Sequence, residues 1–109
     1  MPVVTPEAYR RAVLDLVARI PAGKVLSYGA IAAHLAEASG RASPRLVGQI
    51  MARSDRPVPW HRVVRGSGLP ARGHEAAALR LLARDGTPLL GGRVDMARAA
   101  WAPELPPTV

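Results

Sequence analysis

The chain opens with apolar residues at helical spacing. Tyr9, Val13, Leu16, Val17 and Ile20 recur at the three- and four-residue intervals that fall on one helix face, while Arg10, Arg11, Asp15 and Arg19 lie largely elsewhere. Thr5-Pro6-Glu7 supplies the start: a hydroxyl for a free amide, a proline harmless in the first turn, and a carboxylate against the positive end of the dipole. Pro21-Ala22-Gly23 stops the helix. Val25-Leu26 is a short extended approach, and Ser27 is placed to cap a second helix from about Tyr28 to Glu37 with Ile31, Ala32 and Leu35 inward. A turn of small and polar residues, Glu37 to Ala42, leads to Ser43-Pro44, which repeats the cap-then-proline signal. It opens a third helix to about Arg53 whose inner face is Leu46, Val47, Ile50 and Met51.

Further along, residues 75–85 read as a helix with Ala78, Leu81 and Leu82 inward, ended by Asp85-Gly86 and Thr87-Pro88. Leu89-Leu90-Gly91-Gly92-Arg93-Val94-Asp95 has the form of a small hairpin, its glycine pair supplying the turn. Asp95 is placed to cap a final short helical turn ending at Trp101. The tail, residues 102–109, holds three prolines and is expected to be poorly ordered. The pattern therefore predicts one mainly α domain over residues 1–101 with a short β-hairpin. Its second and third helices form a helix-turn-helix candidate.

Composition adds a partner. The 109 residues carry a net charge of +7, and 49% are apolar, enough for one modest core. Between positions 41 and 73, Arg41, Arg45, Arg53, Arg56, Arg62, Arg65 and Arg72 face Asp55 alone, so most of the excess charge sits in this third of the chain. A charge run is usually a solvated face, but this one coincides with the motif region described next and predicts a polyanion, with DNA the natural candidate. Cysteine is absent, which removes disulfides, thiolate metal sites and thiol nucleophiles together. No apolar run has the length of a membrane span and the N-terminus has no secretory pattern, so a cytoplasmic protein without membrane association is expected.

The candidate chemistry centres on Pro59-Trp60-His61-Arg62-Val63-Val64. Pro57 and Pro59 hold the approach extended, and the glycine-bearing run from Arg65 to Gly73 can fold over Trp60 and His61. A tryptophan in isolation is core filler more often than a ligand contact. Its flanks change that: Pro-Trp-His-Arg-Val resembles the Pro-Cys-His-Arg-Val stretch of the DNA repair alkyltransferases that act on O6-alkylguanine. Two upstream segments match in the same order, Ile20 to Gly29 (Ile-Pro-Ala-Gly-Lys-Val-Leu-Ser-Tyr-Gly) and Pro44-Arg45-Leu46-Val47-Gly48. Leu81-Leu82-Ala83-Arg84-Asp85-Gly86 is similar to the family's Leu-Leu-x-x-Glu-Gly, so the resemblance covers most of residues 9–90. On this resemblance, the family's N-terminal domain is expected to be missing. Trp60 in place of the cysteine points to the alkyltransferase-like proteins, relatives that recognise the same lesion without accepting the alkyl group.

The resemblance implies a winged-helix or helix-turn-helix DNA-binding domain like the C-terminal domain of those alkyltransferases. A base inside a duplex must leave the stack before a pocket can read it. By the family pattern Arg45 inserts into the vacated stack, Tyr28 crowds the phosphate and bonds the flipped base, and Ser43 and Gly48 belong to the same DNA face. The lesion pocket is implied to comprise Tyr28, Trp60, Val63 as its floor and Arg72 from the loop, with Gly73 as the other residue alignable with Arg72 and loop amides facing the base. His61, Arg62 and Asp85 are implied to be structural, the shorter Asp85 leaving open whether it reaches His61. The connection from Arg45 to Trp60 is shorter than in the alkyltransferases, and Ser54 or Asp55 stands in for the family's asparagine hinge. The implied protein is a monomer without enzymatic activity, metal or cofactor, whose partners are duplex DNA containing O6-alkylguanine and the proteins of nucleotide excision repair. Two other readings compete: a small helix-turn-helix transcription regulator with Trp60 as core, and an enzyme pairing His61 with a serine, for which no serine has the spacing.

Overall fold

A computed structural model describes residues 5–39 and 43–103. The expected turn at Gly40–Ala42 and the end of the proline-bearing tail lie outside them. α1 spans Pro6–Ala18, with the Thr5 hydroxyl accepting from the Ala8 amide at 3.1 Å. Its expected stripe is buried, and Leu14 joins it. α2 spans Tyr28–Ser39, capped by Ser27 through the Ala30 amide at 3.0 Å. It continues to Ser39, two residues beyond the end expected at Glu37. α3 spans Pro44–Arg53 and is capped by Ser43 through the Leu46 amide at 3.1 Å. Val47 and Ile50 are buried on its inner face, whereas Leu46, expected inside, is 40% exposed because it lies at the flank of so short a helix.

Two short strands organise the core. β1 (Leu26–Ser27) pairs in parallel with β2 (Val63–Val64), Leu26 opposite Val63 and Ser27 opposite Val64. Successive residues of an extended segment point to opposite faces. Accordingly Leu26 and Val63 enter a core shared by α1, α2 and α3, while Val25 and Val64 enter a second core with Leu82, Val94 and Ala99. The strand pair is thus a partition with a core on each side. α4 (Glu75–Arg84) contributes Ala78 and Leu82, and ends at Asp85 and Gly86, whose φ of +78° suits glycine.

The hairpin forms as expected, β3 (Leu89–Leu90) antiparallel to β4 (Arg93–Val94). α5 spans Met96–Ala99, a single turn. The Asp95 side chain makes no capping bond; its carbonyl instead accepts from Arg98 and Ala99 at 3.1 and 2.9 Å. The turn ends before Trp101, because the chain there becomes extended to bracket Val25: the Val25 amide donates to the Ala99 carbonyl at 3.0 Å, and the Trp101 amide to the Val25 carbonyl at 2.8 Å. The half-buried Trp101 ring packs on the first core, with the Arg19 guanidinium 5.8 Å from its centroid. Among the described residues, no helix is long and apolar enough to cross a membrane.

Candidate functional site

Trp60 begins a short 3-10 turn, Trp60–Arg62, at the end of the proline-stiffened segment. The turn is closed by the Trp60 amide on the Val58 carbonyl at 2.7 Å and by the Arg62 amide on the Pro59 carbonyl at 3.0 Å. Its indole stands edge-on to two imidazoles, His61 at 6.0 Å and His74 at 5.7 Å between centroids. Held in this way, the indole forms part of the wall of a cavity of about 690 Å³. Met51, Pro57, Val58 and Ala71 make the apolar part of that wall; Tyr28, Arg65, Arg72 and His74 bring polar groups to it. A roomy, mainly apolar recess with a few convergent polar groups is the usual form of a site for a flat organic ligand.

Behind the 3-10 turn, His61 and Arg62 converge on Asp85. His61 Nε2 lies 2.9 Å from Asp85 Oδ2, Arg62 Nε donates to the same oxygen at 2.8 Å, and Arg62 Nη2 donates to Oδ1 at 3.1 Å. The remaining guanidinium nitrogen, Nη1, donates to the Ile20 carbonyl at 2.9 Å. Asp85 therefore does reach His61, and the cluster ties the motif turn to the end of α4 and the chain beyond α1. The hydrogen bonds from Arg62 hold the Asp85 carboxyl below the ordinary carboxylate range against the opposing effect of burial, and His61 acts in the same direction. None of these three side chains lines the cavity. Their hydrogen bonds hold the turn against the end of α4.

A second cavity, of about 490 Å³, adjoins the first turns of α2 and α3. Arg45 lines it, exposed, with no hydrogen bond or ion pair among the described residues. Tyr28 and Gly48 line both cavities. Burial raises the Tyr28 hydroxyl above its usual pKa, which the Arg65 charge partly opposes, so the phenol is neutral near pH 7. A Cβ on Gly48 would come no closer than 4.0 Å to Tyr28 Cδ1, so packing within the protein does not require glycine there. Ser43 lines neither cavity, and its hydroxyl oxygen serves as the cap of α3.

Two of the loop expectations need correction. Val63 is 1% exposed in the first core and is not a cavity floor, because the parallel pairing with β1 turns it inward. The amides of Arg65 and Gly68 do not face the cavity; they bond the Leu69 and Arg65 carbonyls, each at 2.8 Å. Arg72 lines the cavity and Gly73 does not. The loop is pinned where Gly68, at φ +90°, accepts from the Val94 amide at 2.9 Å; a Cβ there would lie 2.4 Å from the Val94 carbonyl oxygen. In the connection after α3, the Ser54 hydroxyl oxygen accepts from the Arg56 amide at 3.2 Å, while the exposed Asp55 carboxylate lies 3.6 Å from the Arg10 guanidinium.

Sequence reasoning missed Arg65, Met51 and His74 as cavity residues. Arg65 follows directly on the buried Val64, so a reading of β2 as a strand would have raised the question of where its end points. His74 occupies the residue before α4, a position that cap-seeking passes over because it makes no capping bond. Among the described residues, no group of three or more acidic, histidine or cysteine side chains is arranged to hold a metal ion.

Residues 8–87 match the profile of the 6-O-methylguanine DNA methyltransferase DNA-binding domain. The methylated-DNA--protein-cysteine methyltransferase of Methanothermobacter thermautotrophicus is 39% identical over 88 residues, covering 76% of this chain and 47% of the relative. The chain thus spans about half the length of that curated relative. Among solved structures, S. pombe Atl1 in complex with damaged DNA containing O6-carboxymethylguanine superposes with a TM-score of 0.75 at 27% identity, over 89% of this chain and 97% of that one. S. pombe ATL in complex with DNA superposes at 0.72 and 30% identity, over 91% and 98% of the two chains. The chain belongs to the family of the 6-O-methylguanine DNA methyltransferase DNA-binding domain and, having no cysteine, is of its alkyltransferase-like type.

Proposed function

We propose that this protein is a non-enzymatic sensor of O6-alkylguanine in duplex DNA. It turns the altered base out of the stack, holds it in the Trp60 cavity without removing the alkyl group, and as a monomer presents the marked DNA to nucleotide excision repair in the cytoplasm. The observation that carries this reading is Trp60 itself, which takes the cysteine position of the Pro-Cys-His-Arg-Val stretch and stands in the wall of a cavity of about 690 Å³. A thiolate there would attack the alkyl carbon; an indole is no nucleophile at neutral pH. The His61–Asp85 pair that would activate a thiol is assembled at 2.9 Å, but it has no thiol to act on. Extrusion costs a few kcal/mol. The exposed Arg45, with no hydrogen bond or ion pair among the described residues, supports the reading that its guanidinium fills the gap, since a planar cation can stack between bases and bond the orphaned partner. The damaged duplex bound by S. pombe Atl1 supports the same class of ligand here.

A duplex carrying a labelled methyl group on O6 of guanine tests binding and chemistry together. The label is expected in a retarded complex on a native gel and wholly on the DNA after denaturation. Stoichiometric label on the protein would contradict the reading. Binding of one particular undamaged sequence with indifference to the lesion would instead make the protein a helix-turn-helix regulator.

A further inference from the structure

The two cavities share one ridge, formed by Tyr28, Gly48 and Arg65. If a base enters the larger cavity while its backbone stays along the groove beside Arg45, the connecting sugar and phosphate cross that ridge. Gly48 offers no side chain and Tyr28 offers a neutral phenol, so Arg65 supplies the ridge's charge. Among the described residues its guanidinium makes one hydrogen bond, Nε donating to the Pro70 carbonyl at 3.0 Å. Nη2 lies 3.8 Å from Glu75 Oε2, a long contact between side chains that are 27% and 48% exposed. An ion pair so long and wet holds weakly. A phosphate, with geometry matched to the guanidinium fork, is the stronger partner.

We propose that Arg65 clamps the phosphate of the extruded nucleotide, exchanging its contact with Glu75 for a phosphate oxygen at the ridge between the two cavities. This rests on the extrusion reading above and adds a residue that reading does not use. Arg45 fills the space the base leaves; Arg65 keeps the nucleotide from returning to it. Glu75 is the resting partner, holding the guanidinium at the ridge until DNA arrives.

The test uses O6-methylguanine duplexes with ordinary phosphodiesters or with a neutral methylphosphonate immediately 5′ or 3′ of the lesion, each titrated with the parent protein, Arg65→Gln and Glu75→Gln. Arg65→Gln is expected to bind the ordinary lesion duplex on the order of tenfold more weakly. The methylphosphonate at one of the two positions should weaken the parent by a similar factor and Arg65→Gln by little more. Glu75→Gln should bind as well as the parent or better. Additive losses at both positions, or a parent indifferent to both methylphosphonates, would overturn the clamp. Equal weakening by Glu75→Gln and Arg65→Gln would also overturn it and make Arg65 a brace for the loop. A parent with no preference for the lesion duplex overturns the extrusion reading, and the clamp with it, which sets that failure apart from the others.

Discussion

Asp85 is one methylene shorter than the glutamate at the matching family position, yet it receives His61 and two nitrogens of Arg62. It manages this because it closes α4 in helical conformation and the motif turn packs against that helix. Its lowered pKa has a direct consequence for acid stability. A carboxyl held below its unfolded value of about 3.8 stabilises the fold fully above that pH, and the contribution is lost as pH falls from there through the folded value. Asp85→Asn should therefore lower stability near neutral pH by about 2–3 kcal/mol in urea unfolding, toward the lower range for breaking a buried pair, and should flatten the acid limb of the stability profile. At Gly68 the expected effect comes from backbone and space together. Gly68→Ala must accept φ +90° and a Cβ 2.4 Å from the Val94 oxygen, so a loss of at least about 1–3 kcal/mol is expected in thermal melting.

The elements with a long enough period were readable before the structure. α1, α3 and α4 each carry their start, stripe and stop in the sequence, and the hairpin carries its glycine pair. The β1–β2 pair was not, because two residues show no periodicity and their parallel partner lies 37 positions away in the register Leu26 to Val63. That one omission misplaced Val63 and hid Arg65. The site was legible as a motif and not as a surface: Tyr28, Trp60 and Arg72 do meet at one cavity, but only the fold brings His74 and Met51 to it. Arg45 and Trp60 sit on different elements facing different cavities, so their loss should separate two steps. Arg45→Ala should weaken binding to a lesion duplex by on the order of 1–3 kcal/mol and matter far less for a lesion in single-stranded DNA, where no gap needs filling. Trp60→Ala should reduce the preference for alkylated over plain guanine in both contexts, as competition titrations would show.

At the scale of the whole molecule, the net charge is +7, and most of the excess comes from arginines between positions 41 and 73. Affinity for DNA should therefore be carried largely by phosphate contacts, with the apparent association constant falling steeply as salt rises and the slope counting the cations engaged. A flat response would argue against these arginines as the DNA contacts. Phosphate contacts do not distinguish a lesion, however; in this account only the Trp60 cavity does. The most direct measurement is a titration of two duplexes of identical sequence, one with O6-methylguanine and one with guanine at the same position, at fixed salt. The account predicts tighter binding of the lesion duplex, a preference that falls in Trp60→Ala while affinity for the plain duplex stays the same. Equal affinity of the parent protein for the two duplexes would contradict it.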